Sequence, residues 1–152
     1  MAHKKTARRQ QLERAKGWYE ELERDVPRNK QAPLTLGTID WQDAHELWIG
    51  ERAKAGMAVN APGPVSDAAV RSEMATKCGP LWEHGTRELK HLLEIDPDNE
   101  QSMMYLSMIL RERADTAASE AEYKQQIVEA DEWAHKAAEV QNRKQQAAPG
   151  RE

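Results

Sequence analysis

Apolar residues recur along this chain at three- and four-residue intervals, and no run of strand length alternates with period two. The pattern predicts an almost wholly helical protein. A first stripe of Leu12, Ala15, Tyr19, Leu22 and Val26 predicts a helix from about Thr6 to Asp25 with one buried face. Pro27 stops it, because proline cannot continue the main-chain hydrogen-bond ladder. A second helix starts between Asn29 and Ala32 and runs as far as Ala55, with Leu36, Ile39, Trp41, Ala44, Leu47 and Trp48 as its apolar contacts. Asn29 suits its N-cap and Pro33 its first turn. Gly50 weakens the middle and Gly56 offers a stop.

The stretch Val59 to Val65 holds two prolines and a glycine and reads as a loop. Ser66 then caps a short helix, about Asp67 to Lys77, and Gly79-Pro80 opens the next. That helix carries Leu81, Gly85, Leu89, Leu92 and Leu93 and ends at Pro97. Asn99 caps a helix holding Met103, Leu106, Leu110 and Ala114. Ser119-x2-Glu122 is a capping box that opens the last helix, whose stripe is Tyr123, Ile127, Ala130, Ala134 and Ala137. One domain over residues 1–145 follows, with 58–78 as an inserted loop and short helix and 146–152 as a frayed tail.

One phrase recurs. The chain reads Ala15-x3-Tyr19-x2-Leu22, then Pro27, then Leu36-Gly37; later it reads Gly85-x3-Leu89-x2-Leu92, then Pro97, then Leu106-Ser107. Ala130, Ala134 and Ala137 repeat the stripe a third time without the proline, Asn142 standing in its place. Over roughly residues 15–142 the chain resembles the tetratricopeptide repeat (TPR) family, whose unit pairs two helices. Leu36-Gly37 and Leu106-Ser107 match the Leu-Gly pair of the family's first helix, where a small residue lets the second helix cross at close range. The stretches Leu36 to Trp41, Glu94 to Asn99, Tyr105 to Asp115 and Ala130 to Trp133 are similar to a group of bacterial repeat proteins, often exported, with no assigned activity.

The resemblance implies an all-α fold, a short α-solenoid of stacked helical hairpins with insertions. The interval from Lys30 to Gly85 is roughly 36 residues longer than a 34-residue repeat allows, and that from Glu100 to Ala130 roughly 11 longer. Eleven residues make about three helical turns, so the last hairpin is expected to be longer rather than looped out. The chain opens with a second-type helix that lacks its own partner, and either the inserted helix or a second copy of the chain is expected to cover it.

Ligands of the family usually lie in a groove lined by first-type helices. Carried over, that face offers Leu34, Thr38 and Trp41 in one repeat and Gln101, Met104, Met108 and Arg111 in the next. The surface is apolar with few charges and suits a hydrophobic helix or extended peptide, since methionine adapts to irregular partners. The family's carboxylate-clamp version needs Lys and Asn where Leu34 and Thr38 stand, and Asn in place of Tyr105, which argues against capture of an acidic C-terminus. The competing expectation makes Trp41, Met104 and Met108 plain core, covered by the insertion.

Composition changes this picture little. There is no Phe, so Trp, Leu, Met, Ile and Ala build the core, and a single Cys78 rules out an internal disulfide. Of 22 basic and 26 acidic residues, six basic (Lys4, Lys5, Arg8, Arg9, Arg14, Lys16) and one acidic fall in positions 1–16. That basic end on an acidic body is compatible with docking on nucleic acid or an acidic partner; a solvated helix end is the plainer reading, and nucleic acid is disfavoured. No segment is long and apolar enough to span a membrane. The chain as written reads as soluble and cytoplasmic, or exported if a signal was removed.

Three groups of residues hold side chains of the kinds that do chemistry. His84, Glu88 and His91 share a helix face, yet seven residues at about 1.5 Å each set the two imidazoles too far apart for one metal ion. Asp40, Asp43, His45 and Glu46 cluster on the second helix, with nothing in the sequence to mark them as buried. Cys78 at a helix start reads as a small buried hydrophobe rather than a nucleophile. No phosphate-cradling loop or hydrolase elbow occurs. No enzyme, cofactor or metal is therefore expected, and a protein-binding scaffold, alone or as a complex subunit, is.

Overall fold

The computed structural model describes residues 2–61, 63–148 and 150, and among them every regular element is a helix. The order is α1 (Ala2–Asp25), α2 (Gln31–Lys54), α3 (Ala68–Ile95), α4 (Glu100–Ala114) and α5 (Glu120–Ala147). None is long and apolar enough to cross a membrane. Consecutive helices pack together from α1 to α5, and α2 also packs beside α4.

The ends are set where the sequence punctuates. α1 and α3 each stop two residues before a proline, at Asp25 and Ile95. Asn29 accepts from Ala32 N at 3.0 Å and Asn99 from Ser102 N at 2.9 Å, so both asparagines cap as expected. Ser119 Oγ accepts from Glu122 N at 3.1 Å, while Glu122 returns its carboxylate to Ala118 N, one residue before the usual capping-box partner. Gly56 takes φ +70°, the left-handed turn that ends α2.

One expected break is absent. Gly79-Pro80 does not separate two helices: α3 runs unbroken from Ala68 to Ile95 with Pro80 inside it. Its cap is Asp67, which accepts from Ala69 N and Val70 N, not Ser66. The reason is burial. Met74, Cys78, Trp82, Gly85, Leu89 and Leu92 form one continuous buried stripe at three- and four-residue spacing, and Pro80 lies on the exposed side of it. The stripe holds the helix through the single main-chain bond that proline removes. The long insertion is thus two lengthened helices and a loop rather than a separate element. The shorter one lengthens α5, which has 28 residues beside the 15 of α4.

The core joins Ala44 of α2, Met74, Cys78, Trp82 and Leu89 of α3, Leu106 and Ile109 of α4, and Val65 of the loop. The small residues of the recurring phrase sit where helices cross. A Cβ on Gly37 would lie 2.6 Å from Leu89 Cγ, and one on Gly85 would lie 3.2 Å from Asp40 Cβ and 3.3 Å from Ile109 Cδ1. Ser102 Oγ, fully buried, donates to Leu89 O at 2.6 Å and ties α4 to α3.

The inserted loop is pinned at the far end of α2. Arg52 donates to Asp115 at 2.5 Å and also to the carbonyls of Ala58 and Ala61, while Trp48 Nε1 donates to the same Asp115 oxygen at 2.8 Å. Val65 N donates to Asp115 O at 3.1 Å. The insertion therefore folds toward the α4–α5 turn and does not cover α1, against the first of the two expected arrangements. α1 instead lays Leu12, Ala15, Tyr19 and Leu22, all half-buried, on the body and is anchored by Lys16 to Asp40 at 2.9 Å.

Candidate binding groove

Two hollows lie along α4. The larger, about 490 Å³, is walled by Trp41 of α2, by Gln101, Met104, Tyr105 and Met108 of α4, and by the alanine-rich face of α5. The smaller, about 240 Å³, lies between α2 and α4 and is lined by Leu34, Thr35, Thr38 and Ile39. Gln101 and Tyr105 wall both and form the ridge between them.

Six of the seven residues expected on this face meet here: Leu34 and Thr38 at the smaller hollow, Trp41, Met104 and Met108 at the larger, and Gln101 at both. Arg111 does not. It is exposed farther along α4 and forms an ion pair with Asp131 of α5. Four wall residues of α5, Ala134, Ala137, Ala138 and Gln141, were not expected in the groove. The alanine stripe was legible, but it reads as packing surface because α4 and α5 need close approach. None of the described residues of the 58–78 insertion lines either hollow, so those residues do not roof the groove. Met104 is 43% exposed, whereas Trp41 and Met108 are half-buried.

The floor is held by a polar network on the core side. Trp41 stacks on His45 at 5.0 Å between ring centres, and His45 on Trp48 at 5.4 Å, so three rings ladder along α2. His45 Nδ1 pairs with Glu112, which also accepts from Trp82 Nε1 at 3.4 Å. Burial raises the Glu112 carboxyl above its usual value, although His45 and the indoles pull it the other way. At the rim, Glu100 is held below its usual value by Lys144, whose Nζ lies 2.6 Å from its carboxylate.

The acidic cluster on α2 is a correction to the sequence reading. Asp40 is 2% exposed, bound by Lys16 on one side and His84 on the other. A surface acid became buried because α1 and α3 both pack over it, which the spacing within α2 does not reveal. Asp43 shares Lys16 at 3.5 Å, His45 faces Glu112, and Glu46 is exposed, so the four do not form one site. Of the His84, Glu88 and His91 trio, His84 lies 3.5 Å from Glu88, while His91 turns away and donates to Pro27 O at 3.2 Å. No group of three metal-binding side chains gathers among the described residues. Glu88 is 8% exposed and its carboxyl is pushed up to about 8, by burial first and then by Glu23. Cys78 is fully buried, and burial pushes its thiol up to about 12, the setting of an inert packing residue.

No Lys or Arg is among the residues lining the smaller hollow. Compared with known proteins, the chain finds no significant match among family models, curated proteins or solved structures.

Proposed function

We propose that this chain is a non-enzymatic interaction module of TPR-like helical hairpins that binds a partner peptide or helix in the groove along α4, on its own or as a subunit of a larger complex. The observation that carries this reading is the convergence of Leu34, Thr38, Trp41, Gln101, Met104 and Met108 on two adjoining, open hollows, the larger mainly apolar and the smaller mixed. The pairing of α2 with α3 and of α4 with α5, with α2 beside α4, supports the short-solenoid reading. So do the close crossings at Gly37 and Gly85. The test is a methyl spectrum of the methionine-labelled protein titrated with apolar peptides, both helical and extended. Met104 and Met108 are expected to shift while the core residue Met74 does not, and Met104→Glu is expected to weaken binding at least tenfold. Unmoved groove methyls at millimolar peptide would sink the reading.

A second reading rests on a separate observation. Lys4, Arg8, Arg9 and Arg14 are exposed on α1 and form no ion pair among the described residues, whereas Lys16 is spent on Asp40 and Asp43. This segment would dock on nucleic acid or an acidic partner. Replacing Arg8 and Arg9 by Gln, with Lys16 kept, should then reduce binding and flatten its salt dependence; unchanged binding would remove the idea.

A further inference from the structure

α1 carries two stripes. The inner one, Leu12, Ala15, Tyr19 and Leu22, is half-buried on the body. The outer one is Lys4, Ala7, Gln11, Arg14, Trp18 and Glu21, and all six are exposed. Their spacing is 3-4-3-4-3, the pattern of a helix that meets another helix along one seam. Of the five tryptophans of the chain only Trp18 is exposed, at 59%. Ahead of Leu12 the helix overhangs: its described side chains from position 6 to position 11 are all exposed. A helical arm of that length is marginal on its own. The inserted loop does not support it, being held by Arg52 at the far end of α2.

Charge selects the occupant. This step rests on the second reading above and names the acidic partner of the basic end. Along α1 the exposed charges change sign. Lys4, Arg8, Arg9 and Arg14 come first and Glu20, Glu21 and Asp25 follow, with Glu13 and Arg24 interrupting the two blocks. None of them forms an ion pair among the described residues. Two copies of α1 laid antiparallel put each basic half on the acidic half of the other, twice by symmetry. A parallel pair would set like charges side by side. A nucleic acid would meet Glu21 on the same stripe and Asp25 just beyond it, where its phosphates are repelled. In antiparallel order the layers of the seam match when Lys4 faces Glu21, Ala7 faces Trp18 and Gln11 faces Arg14. Ala7, the smallest side chain of the stripe, leaves room for the indole. From Lys4 to Glu21 the seam runs about 25 Å with one large apolar anchor per copy, which makes a reversible pair rather than an obligate dimer.

We propose that α1 pairs antiparallel with α1 of a second copy of this chain, Lys4 facing Glu21 and Trp18 facing Ala7 of the other copy. Sedimentation velocity of the full chain, from micromolar to sub-millimolar concentration, reads the pairing. A reversible dimer is expected at low ionic strength and is weakened in about 0.5 M NaCl, because the facing charges are open to screening. Trp18→Ala is expected to weaken it roughly tenfold, the cost of truncating an aromatic anchor. Two charge-reversed chains test the order: Lys4→Glu with Arg8→Glu, and Glu21→Lys with Asp25→Lys. Each alone is expected to stay monomeric, because like blocks then face each other. An equal mixture is expected to form a one-to-one heterodimer, which also shows that both variants fold. A mixture that stays monomeric while the unmodified chain dimerises overturns the facing of the blocks, and a dimer that salt strengthens overturns the antiparallel order. A dimer indifferent to Trp18→Ala overturns the seam. A chain that is monomeric throughout overturns the pairing. If that monomer binds a short single-stranded oligonucleotide or poly-glutamate in a salt-sensitive way, the docking reading stands without the second copy; if it binds neither, both fall.

Discussion

At Gly37 a side chain would place its Cβ 2.6 Å from Leu89 Cγ, in a fully buried crossing of α2 and α3. Gly37→Ala is expected to destabilise the fold by about 1–2 kcal/mol, overpacking outweighing the gain in helix propensity. Gly50, with nothing within 4 Å of a Cβ, should respond oppositely. Gly50→Ala is expected to add roughly 0.5–1 kcal/mol, and urea unfolding of the pair reads both signs. Glu88 carries a pH dependence. Its ordinary carboxyl value of 4.5 is raised to about 8 in the folded protein, by burial first and then by Glu23 and Asp40, with Arg87 opposing. The folded state therefore binds the extra proton, and the associated stability is complete below pH 4.5 and lost as pH rises through about 8. Glu88→Gln should keep the neutral form at every pH and raise Tm by a few degrees at pH 9, but hardly at pH 5. An equal effect at both pH values would contradict a titrating Glu88. The sequence marks Gly37 as a crossing point through its place in the recurring phrase. It does not mark Glu88 or Asp40, because their partners are distant in the chain: Asp40 meets Lys16 of α1, 24 positions away, and His84 of α3, 44 positions away, while Glu88 meets Glu23 of α1, 65 positions away.

α3 shows what an element owes to its neighbours. Local chemistry predicts a break at Gly79-Pro80, and six buried residues along one stripe override it. Pro80 is exposed, so Pro80→Ala restores a main-chain bond without disturbing the core. It is expected to stabilise α3 by about 1–2 kcal/mol, less than the full helix penalty of proline because proline also stiffens the unfolded chain. Thermal melts decide it, and a loss of stability would mean that Pro80 contributes something beyond the helix. The caps at Asn29, Asn99 and Ser119 were legible because each needs only a side-chain oxygen and a nearby N–H. The continuity of α3 was not, because it depends on packing against α2 and α4. α1 is the opposite case: its described side chains from position 6 to position 11 are all exposed. Amides there should exchange with solvent far faster than those around Leu89, which hydrogen exchange measures directly.

For the molecule as a whole, Arg52 and Asp115 join α2, the inserted loop and the α4–α5 turn in one buried contact. Arg52→Met should cost about 3–5 kcal/mol by leaving Asp115 buried without its partner. Arg52→Met combined with Asp115→Leu should recover much of that, and denaturant midpoints compare the two. Gly63 allows the contact, since a Cβ there would lie 2.0 Å from Asp115 Oδ1. Of the seven residues that the TPR resemblance implies for this face, six line the two hollows, because a resemblance carried by helical register also carries which side chains share a helix face. Arg111 departed because Asp131 on α5 draws it away, and the α5 wall was missed because an alanine stripe carries no sign of what it faces. By itself the sequence determined the helices, their caps, two proline stops and the small residues at crossings, all properties of neighbours within a few turns. Tertiary structure alone decided that α3 is unbroken, that the insertion folds away from α1 and leaves the groove open, and that Asp40 and Glu88 are buried. Each of these depends on which distant residues share the space, and the recurring phrase, a local pattern, is silent about that.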